Sequence, residues 1–258
     1  MTDHTSAVLL SELAQLPEFL HPLATNLTTA DLSEINRFAP PADANVRQSA
    51  VLILFGQGEH GPDVLLLERA QDMRSHAGQP AFPGGGAEDH DADLIDTALR
   101  EAAEETLLDR SGVLAFATLP AIWVPPSGFV VTAVVAWWRD PSAFGVGDPA
   151  EVASVHRVPV ADLVDPQRRV RVTHPSGYEG PGFDVSGMLV WGFTGMLLDR
   201  ILMMGQWEKP WREQARIVPF DSVSRQRHSS PANSHDRPSS DQSPSEFAAQ
   251  ELEQELDL

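Results

Sequence analysis

The chain has 258 residues, 42% of them hydrophobic, a formal net charge of −19 and no cysteine. The lack of Cys excludes disulfides, thiolate metal sites and a Cys nucleophile. The charge repels nucleic-acid backbones and anionic membranes, so an anionic substrate would need a local basic patch or a bound cation. No run reaches the roughly 18 apolar residues of a membrane span, and the opening "MTDHTSAVLLSELAQL" has no basic region followed by a long apolar core. No secretory signal is read, and a cytoplasmic location is expected.

In chain order, "VLLSELAQLPEFLHPLAT" (8–25) predicts one or two short amphipathic helices interrupted by Pro17. Residues 1–47 are read as a helical extension. From Gln48 the pattern changes: "SAVLILF" and "DVLLLERA" are apolar runs of strand length separated by the turn "GQGEHGP", which predicts a hairpin. After the glycine-rich "FPGGG" comes a helix, then the strand-like "VLAFATLPAIWV" and "GFVVTAVVAWW". "EVASVHRVPVADLV" reads as a strand and a short helix with Asp162 near its start, and "GMLVWGFTGMLLDRILMMG" as a mostly buried closing helix ending at Gly205. Strands and helices without regular βαβ alternation imply an α/β (α+β) chain with a mixed sheet and helices on its faces, over residues 48–220. Residues 221–258 are rich in Ser, Pro and acidic groups and are expected to be disordered.

Residues 93–107, placed on a helix, give an apolar stripe of Ile95, Leu99, Ala102 and Ala103, with Leu94 and Ala98 beside it. Asp96, Arg100, Glu101, Glu104 and Glu105 fall on the polar side. Glu101, Glu104 and Glu105 stand at i, i+3 and i+4, so their carboxylates are expected to converge. Such like-charge neighbours destabilise a helix by a few tenths of a kcal/mol each, about the size of a favourable pair reversed. A converging set of hard oxygens suits Mg²⁺ or Mn²⁺; for "REAAEE" alone, a solvated helix face is the plainer reading. Gly84, Gly85 and Gly86, just before the helix, let the backbone approach a ligand or ion closely.

Phe82–Leu108 resembles the Nudix box, G-x5-E-x7-R-E-U-x-E-E-x-G-U with U apolar, through Arg100, Glu101, Ala102, Glu104, Glu105 and Leu108. Two features depart from it. Counting from Gly85, the first acid is Asp91 with one extra residue before Arg100; counting from Gly86, Ala92 stands at that acid. Leu107 occupies the position of the box glycine that normally helps end the helix, so the helix is expected to run on towards Gly112. Leu65–Gly85 is further similar to the segment marking the coenzyme A pyrophosphatase branch of Nudix hydrolases. Arg69, Arg74, His76, Gly78, Phe82, Pro83, Gly84 and Gly85 fall in register, Glu88 and Asp91 hold the two acidic places, and Ala70 and Pro80 depart. That branch also carries the extra residue, which favours the Asp91 alignment.

The resemblance implies a Nudix-type α/β/α sandwich and hydrolysis of a nucleoside diphosphate linked to another group. For this branch the substrate is coenzyme A or an acyl-CoA, giving 3′,5′-ADP and 4′-phosphopantetheine. It implies Mg²⁺ or Mn²⁺ held by Glu101, Glu105 and Glu104 with the Gly85 carbonyl, and Glu101 as a candidate base. Arg100 is expected to orient a helix carboxylate. Arg69 and Arg74 are candidates for substrate phosphates, although for Arg69 a pairing with nearby acids competes evenly. His76 is read either as a phosphate donor or as a structural hydrogen bond, Glu151 as a metal ligand or base or as a solvated strand-entry residue. For Trp137, Trp138 and Trp191, core packing is favoured over stacking on adenine. Hydrolysis of NADH or ADP-ribose, or a non-catalytic binding role, are the alternatives.

Overall fold

A computed structural model describes residues 7–29, 46–71, 76–124, 128–173, 177 and 179–220. Arg74, the Pro125–Ser127 part of the segment "PPSGF" and the Ser/Pro-rich tail therefore lie outside the described residues. Strand β1 (Val8–Leu9) is followed by two single 3-10 turns (Leu13–Gln15 and Glu18–Leu20) and α1 (His21–Leu27). The helices expected over 8–25 thus form only in the second half. The backbone of Val8 and Leu9 is taken into a sheet ladder, and Pro17, which fixes φ and lacks a donor, separates the two turns.

The hairpin pairs β2 (Arg47–Gly58) with β3 (Gly61–Arg69), and Gly61 takes φ +98° at its turn. Then come β4 (Pro80–Ala81), β5 (Gly84–Gly86), α2 (Leu94–Thr106), β6 (Val113–Thr118), β7 (Ile122–Val124), β8 (Phe129–Trp138), β9 (Val152–Pro159) and α3 (Val160–Leu163). The last part holds β10 (Arg169–Thr173), β11 (Glu179–Val185), β12 (Met188–Val190), α4 (Gly192–Met204) and β13 (Arg216–Pro219). The closing segment is therefore not helical throughout. Its first residues form β12, reached through Ser186 and Gly187 at positive φ, and α4 ends at Gly205 as expected.

The larger sheet runs β1-β6-β8-β2-β3-β4, with β5 joined to β2, β7 to β8 and β9 to β3. β2 and β8 are parallel and β2 and β3 antiparallel, so the sheet is mixed. Alternation along its central strands sorts side chains onto two faces. Ile53, Phe55, Val64, Leu66, Ala133 and Val135 pack with Leu20, Leu23 and Leu27 of the N-terminal segment and Leu197, Leu198 and Ile201 of α4. Ala50, Leu52, Leu54, Leu65, Val134, Ala136 and Trp138 face Ala98 and Ala102 of α2. Helices on both faces of a mixed sheet make the α/β/α sandwich. The sequence-defined extension shares one core with the sheet through Leu20, Leu23 and Leu27.

The smaller sheet runs β12-β11-β10-β13. At the start of the inner strand β10, Arg169 is buried, with its guanidinium carbon 4.2 Å from the Phe183 ring centre and 3.9 Å from that of Trp211. Its charge is paired with Asp199 of α4. Trp138 and Trp191 are buried and Trp137 packs edge-on against Phe19, so the core-packing reading fits all three.

Candidate active site

Helix α2 starts at Asp93, whose carboxylate accepts hydrogen bonds from the backbone N–H groups of Ile95 and Asp96, both at 2.9 Å, an N-cap that satisfies two orphan donors. The small side chains of Ala98 and Ala102 let the helix lie close to the sheet. It does not run on to Gly112: it stops at Thr106, and Leu107 itself takes the left-handed conformation, φ 58° and ψ 13°. The carbonyls of the last turn are met from the loop after β8. Gly147 N–H donates to Glu105 O at 2.9 Å and Gly145 N–H to Thr106 O at 2.8 Å. Only glycine fits at 147, where a Cβ would stand 1.7 Å from Glu104 O.

The three glutamates do not share one environment. Glu105, expected on the polar side, is on the buried side, 4% exposed; Glu101 is largely buried and Glu104 is 60% exposed. β5 explains the difference. It is three glycines laid against β2, so no side chains fill the space between it and the helix. Gly84 is pressed so close to β2 that a Cβ would stand 2.3 Å from Ala50 O, and its N–H donates to Glu105 Oε2 at 2.8 Å. A Cβ on Gly85 would stand 2.4 Å from Glu101 Oε1. Glu101 and Glu105 therefore meet one glycine corner, while Glu104 turns to Arg100. Among the described residues no group of three or more His, Asp or Glu side chains is placed to hold a metal ion, so the expected three-carboxylate convergence reduces to the pair.

Burial pushes the Glu105 carboxyl up to about 7. The Gly84 N–H and the Arg69 charge act against this, and repulsion from Glu101 and Glu151 adds to it. Burial likewise raises Glu101, opposed by Arg100 and reinforced by Glu104 and Glu151. Glu151 is exposed, yet its charge is felt by both. The donor chemistry fits a hard divalent cation as a two-carboxylate set: two carboxylates raised by burial, Glu105 also by the charge of Glu101, beside a backbone that a Cβ would obstruct.

Arg100 holds the corner together. Its Nε and Nη2 grip Asp91 Oδ1 and Oδ2 at 2.8 and 3.0 Å, and Nη2 also donates to Gly86 O at 3.1 Å. Nη1 lies 3.0 Å from Glu101 Oε1 and 3.1 Å from Glu104 Oε2. The bidentate partner is thus a loop acid rather than a helix carboxylate, and it is the Asp91 that one of the two alignments placed in the box. Arg100, the Glu88 N–H and the Thr97 hydroxyl hold Asp91 well below the usual carboxylate range, while hydrogen bonding to Asp91 holds Arg100 above its ordinary value.

Arg69 comes to the same place. Its Nη1 is 3.9 Å from Glu105 Oε1, and among the described residues its buried Nε has no hydrogen-bond partner. It sits at a register shift between β3 and β9. His76 is exposed at φ 56°, its Nδ1 3.0 Å from Gln79 Oε1, a local loop contact.

The NUDIX domain family matches residues 46–176, just over half of the chain. The relatives include proteins named as the uncharacterized Nudix hydrolase NudL. That of Enterobacter sp. (strain 638) is 37% identical over 169 residues, 62% of this chain and 84% of that protein. That of Cronobacter sakazakii is 36% identical over 174 residues, 64% of this chain and 86% of that protein. Among solved structures, the NUDIX domain of Shewanella oneidensis NrtR complexed with ADP ribose superposes with a TM-score of 0.40 at 24% identity, over 49% of this chain and 80% of that one. Among the described residues no helix is long and apolar enough to cross a membrane. With a matched domain over residues 46–176 and relatives more than one third identical over most of their length, this chain belongs to the Nudix hydrolase family and is an enzyme.

Proposed function

We propose that the chain is a cytoplasmic, divalent-cation-dependent pyrophosphohydrolase that cleaves the diphosphate of coenzyme A, or of an acyl-CoA, to 3′,5′-ADP and 4′-phosphopantetheine. The observation that carries the chemistry is the application of Glu101 and Glu105, one turn apart on the same face of α2, to the Gly84–Gly85 backbone. The preference for coenzyme A is supported by the register of Arg69, Arg74, His76, Phe82, Pro83, Gly84 and Gly85 in the segment before the helix.

Glu101, Glu105 and the Gly85 carbonyl would hold the Mg²⁺ or Mn²⁺. When bound, such an ion neutralises charge on the phosphate oxygens as the anhydride breaks. The chain's own groups do the rest. Glu101 accepts the proton of the attacking water at a carboxylate oxygen as that water adds to phosphorus and the bridging P–O bond breaks. Arg100 positions Glu101 by a charge-assisted contact and is itself fixed by the bidentate grip on Asp91. Glu104 shares that guanidinium and helps hold it in place. Arg69 offers its charge to a substrate phosphate, Arg74 is assigned the same role, and His76 makes a loop contact with Gln79.

The test is a product assay on the purified full chain with coenzyme A, NADH and ADP-ribose, in Mg²⁺ or Mn²⁺. Release of 3′,5′-ADP from coenzyme A at the highest rate is expected. Glu101→Gln and Glu105→Gln should each lower turnover by orders of magnitude while the protein still folds. Wild-type rates in both variants would refute the assignment, and a faster reaction on NADH or ADP-ribose would replace the substrate.

A further inference from the structure

We propose that Glu151 is the third carboxylate of the corner and strengthens its hold on a divalent cation from outside the Glu101–Glu105 pair; this rests on the reading of the chain as a divalent-cation-dependent hydrolase. Helical spacing assigns the third place to Glu104. The Glu104 carboxylate instead lies 3.1 Å from Arg100 Nη1 and is 60% exposed. Another acid comes to the corner from the loop between β8 and β9.

The backbone fixes Glu151 beside Glu105 from two directions. Four residues before it, Gly147 N–H donates to Glu105 O at 2.9 Å. A tight turn spans the gap. Glu151 N–H and Val152 N–H donate to Asp148 O at 3.1 and 2.8 Å, and the Asp148 carboxylate accepts from Ala150 N–H at 2.8 Å. On the other side Glu151 O accepts from Ala70 N–H at 2.8 Å, and Val152 is paired with Arg69. Arg69 is the residue whose Nη1 lies 3.9 Å from Glu105 Oε1. Glu151 thus stands between the loop that holds the Glu105 backbone and the strand that supplies its counter-charge. Its own charge acts on both members of the pair, pushing the Glu101 and Glu105 carboxyls up.

The sign of that effect points to a cation. A third anion set beside two carboxylates is unfavourable until a positive charge is bound among them. The guanidiniums at the corner, Arg69 and Arg100, are already shared with carboxylates. Glu151 is exposed, and among the described residues no three acids are placed to ligate one ion together. It therefore acts on the cation through space, while Glu101 and Glu105 supply the direct ligands. Under water-like screening, a divalent ion about 6 Å from a carboxylate gains roughly tenfold in affinity.

The experiment titrates Mn²⁺ into the full-length wild type, Glu151→Gln, Glu151→Asp and Glu179→Gln, each first checked by thermal melting. Free Mn²⁺ is followed by electron paramagnetic resonance. Glu151→Gln should bind Mn²⁺ about tenfold more weakly at low ionic strength. At about 1 M salt, where the screening length falls to about 3 Å, the gap should largely close. Glu151→Asp keeps the charge and should recover most of the affinity. Glu179→Gln removes the same charge from β11 of the smaller sheet and should bind as the wild type does. The Mg²⁺ concentration for half-maximal hydrolysis of coenzyme A should rise in Glu151→Gln by the factor seen with Mn²⁺. Equal Mn²⁺ affinity in Glu151→Gln and the wild type overturns the proposal. So does an equal loss in Glu179→Gln, which marks net charge alone, or an equal loss in Glu151→Asp, which marks a structural contact. A loss undiminished at high salt also overturns it, since it marks direct ligation. If the wild type binds Mn²⁺ but hydrolyses no nucleoside diphosphate derivative, the function fails, and the Mn²⁺ titration still decides the role of Glu151. A wild type that binds no Mn²⁺ overturns both.

Discussion

Glu105→Gln should make the metal-free protein more stable, and by an amount that depends on pH. Glu105 is 4% exposed, and its carboxyl is raised from an ordinary 4.5 to about 7. A raised acid binds a proton more tightly folded than unfolded. Its contribution is therefore fully present below pH 4.5 and is lost as pH rises through 7. The rise corresponds to about 3 kcal/mol by pH 8, at about 1.36 kcal/mol for each tenfold change in proton affinity. Glutamine has no charge to desolvate, is not repelled by Glu101 and Glu151, and keeps an oxygen for the Gly84 N–H. Urea unfolding followed by tryptophan fluorescence in EDTA, at pH 4.5 and pH 8, measures the difference. The variant should exceed the wild type by up to about 3 kcal/mol at pH 8, with the gap nearly closed at pH 4.5. Saturating Mg²⁺ at pH 8 should then raise the wild type more than the variant, by about 2.7 kcal/mol at a hundred times Kd. A gap that is absent at pH 8, or that does not narrow in acid, would refute the account of a carboxylate kept buried against its own preference.

Leu107→Gly should stabilise the fold by about 0.5–1 kcal/mol. It relieves a left-handed conformation costing roughly 1–2 kcal/mol for an L-residue, less the extra freedom of glycine in the unfolded chain. Leu107 is 60% exposed, so little burial is lost, and a rise of about 1–4 °C in the melting temperature is expected. Asp199→Ala should cost about 3 kcal/mol in denaturant unfolding, because it leaves the charge of Arg169 buried without its partner. Adding Arg169→Met should recover most of that loss, since an apolar side chain of similar volume needs no counter-charge.

The strands β2, β3 and β8 were legible because each carries a run of apolar or β-branched residues long enough to be buried on both faces, and β9 because its valines recur along a strand-length segment. The short β10, β11 and β13 carried no comparable signal: five, seven and four residues, with Gly180, Pro181 and Gly182 inside β11. At the site, spacing located α2 and its three glutamates, but periodicity gave Glu105 to solvent. A helix facing ordinary side chains would have buried only apolar groups there. Facing three glycines, it had room to bury a carboxylate. The end of α2 was misplaced for a related reason: Leu107 adopts the conformation usually left to glycine, and the glycines that meet the last carbonyls, Gly145 and Gly147, lie some forty residues away. The grip of Arg100 on Asp91 was visible only as an alignment choice, because the two stand nine positions apart across a loop and a helix.

The way the core is shared also bears on where this chain can be cut. The matched family span, 46–176, contains the corner and most of the larger sheet, but neither α1 nor α4. Those two helices cover much of one face of the sheet, with Leu23, Leu27, Leu197, Leu198, Ile201 and Leu202 fully enclosed. A fragment trimmed to the family boundaries would turn that ceiling of Ile53, Phe55, Val64 and Leu66 out to water. It should clump rather than work, however intact its catalytic residues.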